Sequence, residues 1–137
     1  MKSDPTANRR KTERIPVEYV VKFFFTDEAG KRLNAESDCG GVTLDISKTG
    51  IAFIADNADE SFFPSALDNL VNISLVVTLS DGEELELDCR LAWIETISTE
   101  EAEDRYFLGV EYMDAENAEC KRIFQTARDS QTDVSGN

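Results

Sequence analysis

The sequence lacks several side chains that common types of functional site require. It contains no histidine, so the most frequent metal ligand and general base are both absent. Its three cysteines are widely spaced and form no CxxC pair, which argues against a disulfide framework and a zinc site. It also has no secretory signal and no apolar run near the ~18–20 residues of a membrane span. We therefore expect a reduced, cytoplasmic protein without metal or other cofactor, and not an enzyme.

Basic residues are scarce as well. The 137 residues include 14 Lys+Arg against 28 Asp+Glu, which gives a formal net charge of −14 at pH 7. Proteins bind nucleic-acid polymers and anionic membranes largely through lysine and arginine, so this balance argues against both partners. A chain of this length is typical of one domain.

The one concentration of positive charge lies at the N-terminus, where Arg9, Arg10, Lys11 and Arg14 follow one another closely. This segment is too polar to pack into a core, whereas a few arginines close together can hold a small anion. The sequence therefore predicts three regions: a flexible basic linker over residues 1–14, a folded unit over residues 15–128, and a disordered tail over residues 129–137.

The folded unit has mainly the patterns of β-structure. Apolar residues alternate with polar ones, and the turn Ser80-Asp81-Gly82 separates the clearest pair of strands. Asp114 is placed to cap a C-terminal helix over residues 115–128. One apolar stripe on that helix would pack against the sheet: Cys120, Ile123, Phe124 and Ala127. These elements predict a small antiparallel barrel with strands near residues 17–25, 39–46, 51–54, 71–79, 85–93 and 106–112.

Two short polar motifs flank the first strands. Arg10-x-x-x-Arg14 is by itself typical of an exposed linker, yet two guanidinium groups also suit phosphate and the O6/N7 edge of guanine. Asp45-x-Ser47-x-x-Gly50 is by itself typical of a turn in which glycine supplies a positive φ. Alternatively, Asp45 accepts from the N1/N2 edge of guanine, Ser47 bonds a phosphate or the backbone, and Gly50 leaves room beside a ligand.

Taken together, in this order and in this β context, the two motifs resemble those of the PilZ domain family. The segments Leu91-Ala92-Trp93 and 108–112 are similar to the family too, so the resemblance extends from about Arg9 to Arg128. It implies a six-stranded antiparallel barrel with a C-terminal helix. It also implies a non-catalytic receptor for the bacterial messenger cyclic di-GMP, held by Arg10, Arg14, Asp45 and Ser47, with a downstream protein as partner.

Two further positions follow from the resemblance. Arg9 precedes the first motif arginine, where a basic residue favours an intercalated pair of cyclic di-GMP molecules; otherwise it is one more solvated charge. Trp93 matches a position where some members place an aromatic side chain near guanine. Strict alternation, however, places Trp93 on the same face as Leu91, so a core position and contact with the ligand are both left open. Some members act as protein-interaction modules without the nucleotide, and this remains the alternative function.

Overall fold

The computed structural model describes residues 13–33, 40–56, 60–96 and 105–135. Six antiparallel strands form a closed barrel in the order β3-β2-β5-β6-β7-β4, because β4 pairs again with β3. A two-residue strand, β1 (Ile15–Pro16), pairs with β3 outside this ring. The barrel strands are β2 (Val20–Thr26), β3 (Gly40–Ile46), β4 (Gly50–Asp56), β5 (Asn72–Thr78), β6 (Glu84–Thr96) and β7 (Tyr106–Tyr112).

The predicted β pattern is confirmed, and the turns explain where the strands reverse. Gly82 has φ +91° in the tight turn between β5 and β6, a conformation that glycine adopts without a steric penalty. Gly30 has φ +83° in the turn after β2, where Asp27 accepts hydrogen bonds from two backbone N–H groups. Both glycines therefore fix a chain reversal.

Alternate residues of the strands fill the barrel interior. Phe23, Phe53, Leu75, Leu87 and Leu108 are fully or almost fully buried there, since successive side chains of a strand point to opposite faces. Burial of such side chains is worth about 1.5–3 kcal/mol each, which makes this core the main source of stability.

Two helices pack against the barrel. The short helix α1 (Phe63–Leu67) has a proline, Pro64, in its first turn, and Phe63 lies edge-on against Tyr106 with their ring centroids 4.9 Å apart. The C-terminal helix α2 (Ala118–Ser135) buries the predicted stripe of four residues, and it contacts β1, β3 and β6: Cys120, Ile123, Phe124 and Ala127. The predicted amphipathic helix is thereby confirmed.

The ends of α2 differ from the prediction. Asp114 accepts from the Glu116 N–H in a separate turn, and the helix is capped instead by Asn117, whose Oδ1 lies 2.8 Å from the Glu119 amide nitrogen. At the other end the helix continues past Arg128 to Ser135, into residues that the sequence analysis assigned to a tail. No glycine or proline precedes Gly136 to stop it, and Gln125 donates to Asp129 one turn later.

No helix in the described ranges is long and apolar enough to span a membrane.

Candidate functional site

The two sequence motifs meet where β1 pairs with β3. Ile15 lies opposite Ile46, and Pro16 lies opposite Asp45, so residue 14 arrives beside the end of β3. There Arg14 donates from Nη1 to Asp45 Oδ1 at 3.2 Å. Half of the Arg14 side chain and about a quarter of the Asp45 side chain remain exposed. Two residues 31 positions apart in sequence thus form one ion pair at the surface.

Thr43, which the sequence analysis did not single out, fastens this arrangement. Its side chain is fully buried in β3, and its hydroxyl accepts from the Tyr19 N–H at 2.8 Å while donating to the Val17 carbonyl. The Thr43 amide also donates to the Tyr19 carbonyl. These bonds hold residues 17–19 against β3 and so fix the point from which Arg14 extends. The sequence signal that could have revealed this role is a threonine in β3 at a position that is buried in the structure.

The turn between β3 and β4 is held by its own serine. The Ser47 side chain is 5 % exposed, and its oxygen accepts from the amides of Thr49 and Gly50 at 3.2 and 3.1 Å. It also donates to the Gly50 carbonyl at 3.2 Å. Of the two roles considered for Ser47, bonding to the backbone is the one the structure contains.

Gly50 is required for close packing of strands, because β4 and β7 approach very closely at this position. A Cβ at Gly50 would lie 2.1 Å from the Val110 carbonyl oxygen, a distance that real Cβ atoms do not show. The alternative that Gly50 supplies a positive φ is excluded, since among the described residues positive φ occurs at Gly30, Gly82 and Asn69. The turn therefore lies tight against β7.

Tyr112 of β7 forms two hydrogen bonds with the 47–50 turn. Its phenol donates to the Ser47 carbonyl at 3.3 Å, and its amide donates to the Thr49 carbonyl at 2.9 Å. Burial, followed by the influence of Cys89 and Cys120, raises the pKa of Tyr112 well above its ordinary value. The phenol consequently keeps its proton and remains a hydrogen-bond donor at physiological pH.

A β-bulge decides the position of Trp93. The register between β6 and β7 shifts between Leu91 and Trp93, so that the extra residue Ala92 breaks the alternation from which a core position was considered. Trp93 is 40 % exposed, and its indole lies across Gly109, where a Cβ would come within 2.1 Å of Nε1. Of the two positions that the sequence left open for Trp93, the core position is excluded, while contact with a ligand stays a prediction. Trp93 presents part of its ring on the outer surface.

Part of this arrangement lines one shallow cleft of about 150 Å³. Arg14, Ser47, Gly50 and Trp93 all contribute to it, and Asp45 reaches it through its ion pair with Arg14. Glu111 lines it too; its position beside Gly50 depends on the register of β4 and β7, and no sequence motif revealed it. Arg9 and Arg10 lie outside the described residues. In the described part of the chain, no group of three His, Cys, Asp or Glu side chains is arranged to hold a metal ion.

The cleft combines a cation, hydrogen-bonding groups and an exposed aromatic surface on a closed β-barrel. The sequence model of the PilZ domain matches residues 8–127. The chain belongs to the PilZ domain family. The match covers both motifs and the first ten residues of α2, and together with the observed barrel it confirms the fold implied by the resemblance.

Several solved structures share this fold at low sequence identity. The apo structure of MrkH from K. pneumonia aligns with TM-score 0.63 and 17 % identity, covering 98 % of this chain and 54 % of that one. The Bacillus subtilis inhibitor of motility, MotI, aligns with TM-score 0.58 and 18 % identity, covering 91 % and 52 %. The present chain thus spans about half the length of both. The PilZ domain of YcgR from Escherichia coli, solved with c-di-GMP, aligns with TM-score 0.58 and 14 % identity, covering 93 % and 98 %. No curated protein sequence matches.

Proposed function

We propose that this PilZ chain is a receptor for cyclic di-GMP that binds the nucleotide at the Arg14 cleft and catalyses no reaction. The observation that carries the proposal is the meeting of Arg14, the 47–50 turn and Trp93 in one cleft. The guanidinium group suits phosphate and the O6/N7 edge of guanine, carboxylates suit the N1/N2 edge, and the indole surface suits stacking on a base. The relation to YcgR, whose PilZ domain was solved with c-di-GMP, supports the same ligand.

The cleft is too small to enclose a dinucleotide, so the linker arginines are needed to cover the ligand. A cleft of about 150 Å³ is smaller than the ~300–1,000 Å³ of typical small-molecule pockets, so it holds one edge of a dinucleotide without enclosing it. In this proposal Arg9, Arg10 and Arg14 close over the nucleotide from the other side. Arg9 also favours an intercalated pair of ligands.

Closure of the linker is also the proposed signal. Ordering about six residues costs roughly 6–12 kcal/mol of backbone entropy, whereas a micromolar complex yields about −8 kcal/mol net. Charge-assisted hydrogen bonds and stacking of guanine on arginine must therefore contribute appreciably more than the net value. The newly ordered linker changes the surface that a downstream protein contacts.

The test is a calorimetric titration of cyclic di-GMP into the native chain, Arg14→Ala and Lys22→Ala. We expect micromolar binding by the native chain and a loss of about tenfold or more in Arg14→Ala, since a charge-assisted bond contributes about 1.5–3 kcal/mol. Lys22→Ala is the matched control, because Lys22 is an exposed cation of β2 remote from the cleft, and its affinity should equal the native one. Two ligands per chain would support the role of Arg9, and one would contradict it.

One observation favours the alternative function, an interaction module that does not bind the nucleotide. Arg14 is already paired with Asp45, and the Ser47 hydroxyl is already bonded within its turn, so these groups are satisfied without a ligand. Absence of binding by the native chain at tens of micromolar nucleotide would overturn the receptor proposal and favour this alternative.

A further inference from the structure

A second recess lies beside the nucleotide cleft, between the 47–50 turn and helix α2. It is larger, at about 560 Å³, and Thr49 lines both recesses. Its walls carry three cations: Lys48 from the turn, and Lys121 and Arg128 from the helix. We call this recess the basic groove. Lys121 and Arg128 lie outside both sequence motifs. Lys48 lies within the second motif, at a position where the motif does not specify the residue type.

The charge of the groove is opposite to that of the protein. The chain carries a formal charge of −14, whereas the groove has three cations and one lining carboxylate, Glu116, which pairs with Lys121 at 3.0 Å. Lys48 and Arg128 lie 5.7 and 5.9 Å from the centroid of the Phe124 ring, which forms an apolar floor between them. A basic groove with an apolar floor fits a segment that combines carboxylates with an aliphatic side chain.

The chain itself already brings one carboxylate to the groove. Glu13 Oε1 lies 3.9 Å from Arg128 Nε, and both side chains are about half exposed. Such a long, solvent-screened pair contributes little to stability and is easily exchanged for another carboxylate. Glu13 is also the immediate neighbour of Arg14 in sequence, so the two residues attach the same short segment to two different recesses.

We propose that the basic groove binds an acidic segment of a partner protein and that Glu13 competes with this segment in the free chain. A partner carboxylate then replaces Glu13 at Arg128, a second one contacts Lys48, and an aliphatic side chain lies over Phe124. A protein segment fits better than a single small anion, because a recess of about 560 Å³ with three cations offers several contacts and the anion already paired there is a carboxylate.

The link to the nucleotide cleft rests on the proposed function. When cyclic di-GMP draws Arg14 into its complex, Glu13 moves with it and leaves Arg128. Lys48 is similarly tied to the cleft, because it lies between Ser47 and Thr49 in the turn that both recesses share. Nucleotide binding therefore removes a negative charge from the groove and strengthens its attraction for the partner.

The groove can be tested without nucleotide by a nuclear magnetic resonance titration. The probe is an acetylated, amidated hexapeptide of sequence Glu-Leu-Glu-Glu-Leu-Glu. We expect amide shifts at Lys48, Lys121 and Arg128, and about fivefold tighter binding by Glu13→Gln, as expected for removal of one competing surface charge. Glu18→Gln is the control, since it removes an equal charge from an exposed position outside the groove and should leave the affinity unchanged.

Further arms of the experiment distinguish the ligands and the sites. Lys48→Gln and Arg128→Gln should each weaken peptide binding several-fold, whereas Lys22→Gln should not. Shifts outside the groove, absence of shifts at about millimolar peptide, or equal affinities of Glu13→Gln and Glu18→Gln would overturn the proposal. Inorganic phosphate that binds as tightly as the peptide would overturn it as well, because the groove would then be a site for small anions.

Addition of cyclic di-GMP to the native chain should raise peptide affinity to that of Glu13→Gln. If the nucleotide binds but leaves peptide affinity unchanged, the competition by Glu13 is wrong. If the nucleotide does not bind at all, the receptor proposal fails, while the nucleotide-free comparison of Glu13→Gln with Glu18→Gln still decides whether the groove binds acidic peptide.

Discussion

The two sides of the nucleotide cleft are built in opposite ways. The 47–50 turn is held by the Ser47 hydroxyl and Tyr112 and packs against β7. The N-terminal arm, residues 13–14, precedes β1, and its half-exposed Arg14 reaches the cleft through one ion pair of 3.2 Å. The first side is preorganised, so it loses little entropy on binding, and the second is exchangeable, so a ligand can recruit it. A receptor that signals through its linker needs both.

The largest disruption of the preorganised side is expected from Gly50→Ala. The added Cβ would lie 2.1 Å from the Val110 carbonyl oxygen, so β4 and β7 must move apart. We expect a loss of about 3 kcal/mol in the free energy of unfolding, measured by urea denaturation. Thr49→Ala, at an exposed position of the same turn, should cost less than about 1 kcal/mol. Equal stability of Gly50→Ala and native protein would show that the turn is not packed as described.

A smaller loss is expected from Thr43→Val, which keeps the shape of the side chain but removes its hydroxyl. The Tyr19 N–H and the Val17 carbonyl would each lose a partner, and unpaired buried groups cost about 1–3 kcal/mol. We expect about 2 kcal/mol less stability together with weaker nucleotide binding, since Arg14 extends from this segment. The control is Thr78→Val in β5, whose side chain is half-buried on the outer face. If both variants lose the same stability, the fastening role of Thr43 is wrong.

The helix side of the molecule should respond to alkaline pH. Burial, followed by nearby carboxylates, raises the pKa of the Cys120 thiol from 9.0 to about 11. Between these values the unfolded chain loses the proton and the folded chain keeps it, so the contribution of this thiol to stability is complete below about pH 9 and falls as the pH rises towards 11.

The burial of the thiols can be tested by their reactivity. In a Cys39→Ser background, we expect the thiols of Cys89 and Cys120 to react with a disulfide reagent at pH 8 far more slowly in the folded than in the urea-unfolded chain. Equal rates would contradict the burial of both thiols, Cys89 in β6 and Cys120 in α2.

The smallest effect on stability is expected at the exchangeable side. Arg14→Ala removes an exposed ion pair, and such pairs contribute about 0–1 kcal/mol, so urea denaturation should be almost unchanged. The same substitution should nevertheless weaken nucleotide binding strongly. A loss of several kcal/mol in stability would mean that the N-terminal arm is a structural element instead of a recruitable one.

A structural feature of this chain can be predicted from the sequence when neighbouring residues determine it, and not when distant residues do. The strands, the Gly82 turn and the apolar stripe of α2 follow from periodicity and turn residues, and the structure contains all of them. The position of Trp93 cannot be predicted from periodicity, because one extra residue, Ala92, reverses the direction in which the following side chains point.

The cap of α2 and the role of Thr43 show the same limit. Asp114 and Asn117 are both good capping residues by type, and tertiary packing selects the second. The partners of Thr43 lie 24 and 26 residues away, so only the register of the segment at 17–19 against β3 reveals them. Likewise, the meeting of Arg14 with Asp45 was expected from a family pattern, whereas its geometry comes from the pairing of β1 with β3.

Trp93 gives the most direct test of the nucleotide cleft, because it is the single tryptophan of the chain and lines that cleft. Its fluorescence can be followed during titration with cyclic di-GMP, with cyclic di-AMP as the control for the guanine edge. We predict saturable quenching by cyclic di-GMP at micromolar concentration, little effect of cyclic di-AMP, and loss of the response in Arg14→Ala. Unchanged Trp93 fluorescence at saturating cyclic di-GMP would contradict binding in this cleft.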